Sequence, residues 1–180
     1  MTRKLSWINP KVEVRNSGIN GRGLFAKDRI NKGEIITVSG GRIVDEEEYK
    51  KLKNQKKEFF MTYSTPVADG FYIISGFSHK SLEPDDFYNH SCAPNCGLGG
   101  HLVITALRDI EKDEELTLDY GTFEDDEDYK LICNCGSPEC RKIITGKDWM
   151  KQELQKKYNG HFIWHLQQKI NSMNNGHEKE

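Results

Sequence analysis

All five cysteines of the chain fall in two short segments, FYNHSCAPNC at residues 87–96 and CNCGSPEC at residues 133–140. Five is an odd number, and in a reducing compartment closely spaced cysteines hold metal more often than they pair as disulfides. Cys133, Cys135 and Cys140 form C-x-C-x4-C, with Gly136, Ser137 and Pro138 able to reverse the chain so that three thiolates point inward. A structural zinc takes four ligands in a tetrahedron, with sulfur at about 2.3 Å, so one ligand must come from elsewhere. Cys92 or Cys96 is the obvious donor. A closed four-thiolate site would tie this loop to the 87–96 segment, and its binding energy would be folding energy for the loop.

The rest of the chain reads as mostly β with minor α. Residues 11–15 (KVEVR) alternate apolar and polar, 33–38 (GEIITV) are β-branched, and 70–75 (GFYIIS) are aromatic and β-branched. Residues 102–107 (LVITAL) and 115–119 (ELTLD) repeat the pattern around a charged turn, RDIEKDE. Short strands joined by turns are expected. Residues 45–57 (DEEEYKKLKNQKK) start with an Asp suited to cap a helix and continue with good helix formers, which predicts a surface helix. After Gly146, Trp149, Leu154, Tyr158, Phe162, Leu166 and Ile170 recur at roughly helical spacing with a break at Asn159 and Gly160, so two short helices are expected to pack on the sheets. The acidic run 124–128 reads as a solvated loop.

At 180 residues with 36% hydrophobic residues the chain suits one domain with a modest core, and no linker or repeat divides it. A formal net charge of -2 argues against direct nucleic-acid binding, which needs clustered Lys and Arg. The start, MTRKLSWINP, has no apolar segment and apolar runs elsewhere are short. Neither a secretion signal nor a membrane span is expected, which predicts an intracellular protein, cytoplasmic or nuclear, and a monomer.

Three smaller motifs carry residues that could do chemistry. GINGRGLFA at 18–26 has Gly21-x-Gly23 but not G-x-G-x-x-G, so it reads either as a tight turn or as a place where backbone approaches a flat ligand. His161 and His165 are four residues apart, but HFIWH lacks the Glu of a zinc-protease helix, and packing is the better expectation. Cys92 beside His90 could be a nucleophile with its base, although catalytic Cys and His usually come from separate elements.

GRGLFA at 21–26, YNHSCAPNC at 88–96, EELTLDYG at 114–121 and CNCGSPEC at 133–140 stand in the order and approximate spacing of the SET-domain protein lysine methyltransferases, which the chain resembles over about residues 10–145. The stretch 145–170, with TGKDW, LQKKY and GHF, is similar to a tail of small stand-alone members. The resemblance implies a SET domain at 10–122, a post-SET zinc-binding loop at 123–146 and a helical tail at 147–180. Its fold would be several short twisted sheets with a C-terminal pseudoknot, the NHSC segment passing through a loop near DYG.

S-adenosylmethionine would lie on one face and a substrate lysine would enter from the opposite face through a narrow channel. By the same resemblance, Gly21, Arg22, Gly23 and Leu24 would line the cofactor by their backbone, with Asn89 and His90 contacting its methionine and adenine portions. Tyr120 would be the catalytic tyrosine, and Cys92, Cys133, Cys135 and Cys140 would hold a structural zinc, leaving Cys96 an ordinary thiol. Tyr63 and Tyr72 could wall the channel. Leu118 stands where the family often has Phe or Tyr, and without a hydroxyl there multiple methylation is expected. The acidic residues 83–86 interrupt any detailed alignment of 71–86.

The implied partner is a protein presenting a lysine, a histone or another basic protein. The competing reading is a noncatalytic, zinc-stapled SET-like module that binds a basic peptide. Loss of the tyrosine or of Asn-His would mark such a module, and this chain keeps Tyr120, Asn89 and His90.

Overall fold

None of the strands exceeds five residues, so the chain buries its apolar side chains by stacking several small sheets rather than building one large one. The computed structural model describes residues 5–176, with side chains to residue 174. The first sheet contains β1 (Trp7–Ile8), β4 (Ile35–Val38), β9 (Cys96–Leu98) and β10 (Val103–Ala106), ordered β1-β4-β10-β9. The second contains β2 (Val12–Asn16), β3 (Arg22–Ala26), β8 (Asn89–His90) and β11 (Glu115–Leu118), ordered β2-β3-β11-β8. A third, ordered β5-β7-β6, joins β5 (Arg42–Asp45), β6 (Ser64–Ala68) and β7 (Phe71–Ile74). The hairpin β12 (Lys130–Ile132) with β13 (Ile143–Thr145) carries the cysteine loop.

The five expected strands all form, with slightly trimmed or shifted ends. The glycine cluster, read as a tight turn or a close backbone approach, supplies both a turn and β3, which pairs along its length with β2. Its turn lies just ahead, where Ser17 N–H donates to Gly21 O at 2.9 Å and Gly21 takes φ +48°.

The expected surface helix forms as α1 (Glu46–Gln55), whose first turn is capped by the Asp45 carboxylate accepting from Glu48 N–H at 2.8 Å. It stops short of the expected end because the chain breaks at Lys56 (φ -146°) and restarts as α2 (Lys57–Tyr63). That second helix buries Phe59 and Phe60 against Val44, Tyr49 and Ile74 to make a satellite core. The tail supplies α3 (Gln152–Lys157) and α4 (Trp164–Gly176), separated at Gly160 (φ +80°), and buries Leu154, Tyr158, Phe162, Leu166 and Ile170 in the main core with Leu24, Ile30, Ile36 and Leu116.

Two features bear on function. β8 lies parallel to β11, with Asn89 opposite Thr117 and His90 opposite Leu118, and Ser91 N–H continues the ladder to Leu118 O at 2.9 Å. This seats the NHSC segment beside the DYG segment, as a C-terminal pseudoknot requires. The acidic run 124–128 departs from the expected solvated loop. Asp125 pairs with His165 and Lys169, Asp126 with Lys53, and Glu124 is buried.

Leu116 is fully buried at the centre of the second sheet, whereas Ile132 is 72% exposed. Leu116→Ala is expected to lower unfolding free energy by about 3 kcal/mol, and Ile132→Ala by less than about 0.5 kcal/mol, in urea titration. Equal losses would contradict this placement of the core.

Candidate active site and metal centre

The four predicted ligands do converge. The Sγ atoms of Cys92, Cys133, Cys135 and Cys140 all lie within 4.8 Å of one another, with Cys92 and Cys133 3.9 Å apart. Four sulfurs at about 2.3 Å from a central zinc would stand about 3.8 Å apart, so the cluster fits that ion. Burial raises the thiols of Cys92 and Cys133, while backbone N–H donors overcome burial at Cys135 and draw it down to about 6. A divalent cation is the species that lets all four carry thiolate together. Cys96 lies apart in the main core, its Sγ against Asn95 Oδ1, and burial raises its thiol.

His90 connects the metal cluster to the tyrosine. Its Nδ1 accepts Tyr120 N–H at 3.1 Å, and its Nε2 lies 3.3 Å from Cys92 Sγ. A neutral ring that accepts at Nδ1 carries its proton on Nε2, so that N–H points at the sulfur as a donor. Burial keeps the ring neutral by lowering it to about 4. The contact between Cys92 and His90 therefore exists, but its sulfur belongs to the metal set.

Arg141 ties the same parts from the other side. Its guanidinium donates to both Asp119 oxygens at 2.7 Å and to Asp148 Oδ2 at 3.0 Å, and its N–H donates to Cys92 Sγ at 3.3 Å. Asp119 and Asp148 are both 1% exposed, so the guanidinium neutralises charges that water cannot reach. Sequence reasoning missed this arginine. Its only signal was a basic residue directly after the last cysteine and an Asp directly before Tyr120.

Asn89 acts on the glycine hairpin. Its Nδ2 donates to Asn20 O, Arg22 O and Glu115 Oε1 at 3.1, 3.0 and 2.8 Å. A β-carbon at Gly23 would collide with Glu115 Oε1 and come within 3.1 Å of Asn89 Nδ2, which explains a glycine there. The close approach at this glycine is thus to the protein's own side chains.

Two cavities meet at Tyr120. An open one of about 510 Å³ runs between Ile19 and Asn20 of the hairpin tip, Asn89 and His90, and residues 130–134 of the cysteine loop. That size suits a small-molecule site, typically about 300–1,000 Å³. A tighter slot of about 120 Å³ is lined by Tyr63, Tyr88, Leu118, Phe123 and Glu124 among others. Met61, Thr62, Tyr120 and Tyr129 line both. Tyr120 Oη donates to Tyr88 O at 2.5 Å, and burial raises its hydroxyl so that it stays a neutral phenol.

Residues 21–121 match the SET domain family. The chain belongs to the SET domain family. Human "Histone-lysine N-methyltransferase 2B" is 36% identical over 145 residues, which is 74% of this chain and 5% of that protein. From Arabidopsis thaliana, "Histone-lysine N-methyltransferase ATX2" is 33% identical over 148 residues, 75% of this chain and 13% of that protein. "Histone H3-lysine(4) N-trimethyltransferase ATX1" from the same plant is 31% identical over 158 residues, 81% of this chain and 14% of that protein. The chain thus spans only a small part of each relative.

The structure brings together Tyr120, Asn89, His90, Tyr63 and Leu118 of the matched region with Cys92 and the three cysteines beyond it, Cys133, Cys135 and Cys140. Gly21, Arg22, Gly23 and Leu24 do not themselves line the open cavity, which is reached by Ile19 and Asn20 one turn earlier. Arg22 instead stacks over Phe87 at 4.5 Å, and the Leu24 side chain is in the core. Tyr72 lies outside the slot, stacked on Tyr49 with ring centroids 3.8 Å apart. Tyr129, Phe123 and Glu124 were missed, because a charged run hid them. His161 and His165 do not pair. His161 precedes α4 and donates from Nδ1 to Leu98 O, and His165 meets Asp125. Among the described residues, the cysteine set is the one group with metal-ligand geometry.

Cys140→Ser is expected to reduce zinc, counted by plasma mass spectrometry, from about one per chain to substoichiometric, while Cys96→Ser keeps it. Equal loss in both would overturn the ligand set.

Proposed function

We propose that this SET domain is an S-adenosylmethionine-dependent protein lysine N-methyltransferase acting on a basic protein such as a histone. The observation that carries the reading is the common wall of Met61, Thr62, Tyr120 and Tyr129 between the open cavity and the aromatic slot. A cofactor in the first and a lysine in the second would meet there. The names of the relatives support a histone substrate, and with it an intracellular, nuclear setting. Asp85, Asp86 and Glu124 along the slot favour a cationic side chain.

When bound, S-adenosylmethionine supplies an electrophilic methyl on a sulfonium. The residues of this chain do the rest. Asn89 fixes the hairpin tip, so Ile19 and Asn20 can border the cofactor with His90, and β3 anchors that tip in the sheet. The zinc set would hold residues 130–134 closed over the opposite side. A lysine of pKa about 10.4 must lose a proton before it attacks, at a cost of about 4 kcal/mol near neutral pH. Burial among Tyr63, Tyr120, Phe123 and Tyr129 disfavours the ammonium and lowers that cost. Because the Tyr120 hydroxyl donates to Tyr88 O, its lone pairs are free to receive methyl C–H groups and to orient the amine. Positioning two reactants this way can supply most of the acceleration.

Isotopically labelled S-adenosylmethionine offered with histones and with cell lysate tests the reading. Label should appear on lysine and fall by about 10²-fold or more with Tyr120→Phe; label unaffected by that change would contradict the assignment. Leu118, 5% exposed on the slot wall, leaves room for an amine that already bears a methyl. Leu118→Tyr should shift products toward monomethyllysine by mass spectrometry, and an unchanged product distribution would sink the assignment of this position.

A further inference from the structure

Glu124 follows the one-turn helix Tyr120–Thr122 and donates its N–H to Tyr120 O at 2.9 Å. Its side chain is 7% exposed and faces the slot with Tyr63, Tyr120, Phe123 and Tyr129. Its neighbours have cations: Lys169 for Asp125, which also meets His165 Nε2 at 3.1 Å, and Lys53 for Asp126. Glu124 has none among the described residues, only the Asp126 N–H at 2.9 Å on Oε1. A buried carboxyl without a countercharge stays protonated or receives a cation. Burial, with Asp126 and Asp125 adding repulsion, raises this one to about 8.

The other polar groups around it leave the position open. Tyr49, Ser64, Tyr72 and Tyr129 border an adjoining small cavity of about 10 Å³ beside Glu124, enough for about one water. Elsewhere on the slot, Asp86 is held by Ser75 Oγ and Glu83 N–H, and Asp85 and His101 line it too. The Tyr120 hydroxyl is itself protonated and donates to Tyr88 O.

We propose that Glu124 receives the substrate lysine's ammonium in the slot and takes one of its protons, making it the catalytic base of the methyl transfer. This rests on the methyltransferase reading. An N–H bond of the ammonium breaks and an O–H bond forms on the carboxylate, and the electron pair left on nitrogen attacks the methyl. The methylated nitrogen is again cationic, the cofactor leaves as a neutral thioether, and the carboxyl returns its proton to solvent. In water this proton transfer is unfavourable by about a million-fold, from pKa values near 10.4 and 4.3. Burial closes the gap from both sides, because the neutral acid and amine need less solvation than the ion pair.

The test compares wild type and Glu124→Gln on histones from about pH 6.5 to about 10, spanning lysine ionisation. The amide is isosteric and its oxygen can still accept the Asp126 N–H. Zinc content and cofactor affinity should be unchanged, kcat near neutral pH should fall about 10²-fold, and the deficit should shrink as rising pH supplies neutral amine. Replacing the target lysine by the less basic aminoethylcysteine in a peptide should rescue the variant more than wild type. A deficit constant across pH, or less than about twofold, would overturn the proposal.

A wild type that labels no histone would instead sink the methyltransferase reading on which it depends. Unfolding supplies a readout apart from activity. A carboxyl raised from 4.5 to about 8 on folding makes the ionised folded form unfavourable, so wild type should lose stability relative to the variant as pH rises through that window. A difference that does not vary with pH would refute the buried base.

Discussion

Four thiols within 4.8 Å of one another bring the hairpin and loop of residues 130–145 to the centre of this molecule. Cys92 comes from the segment beside β11, and the other three come from a loop whose own regular structure is one short hairpin. That loop has little apolar area to hold it, since its local cluster consists of Cys92, Cys133 and Ile144 with a few half-buried neighbours. A metal binding energy of several kcal/mol is the larger force available there. Arg141 reinforces it by neutralising Asp119 and Asp148, and it sits directly after the last cysteine.

The consequence reaches the chemistry through His90. With Nδ1 committed to Tyr120 N–H and Nε2 facing Cys92 Sγ, one neutral ring relates the position of the tyrosine to that of the sulfur. Residues 130–134 of the same loop wall the open cavity opposite the glycine hairpin. The cysteine set shares Cys133 with the open cavity, and the open cavity shares Met61, Thr62, Tyr120 and Tyr129 with the slot. Aromatic side chains line the slot, and burial there raises the carboxyl of Glu124; in the proposed reaction the same burial would favour a neutral amine.

Much of this was legible in the sequence, and the failures have physical causes. Strands with alternating or β-branched side chains and the helix with an Asp cap report local preferences, so they were found. The cysteine set was legible because motif order survives where overall identity is modest. What failed depended on distant partners. Tyr72 reads like a channel aromatic until β7 pairs with β5 and brings it onto Tyr49. Glu115 and Asn89, whose side chains crowd Gly23, stand far along the chain, and the residues around the glycine do not name them. The run 124–128 reads as solvated, yet Lys53 from α1 and Lys169 from α4 neutralise its neighbours while Glu124 turns inward. Local charge density carries no record of those cations.

The most direct measurement of the central claim is hydrogen exchange of residues 130–145, read together with S-adenosylmethionine affinity, before and after zinc is removed by a chelator under reducing conditions. The account predicts that metal removal deprotects this hairpin and loop and weakens cofactor binding, while β2, β3 and β11 keep their protection. Unchanged protection and unchanged affinity in the metal-free protein would contradict it, because the loop would then be held over the cavity by something other than its thiolates.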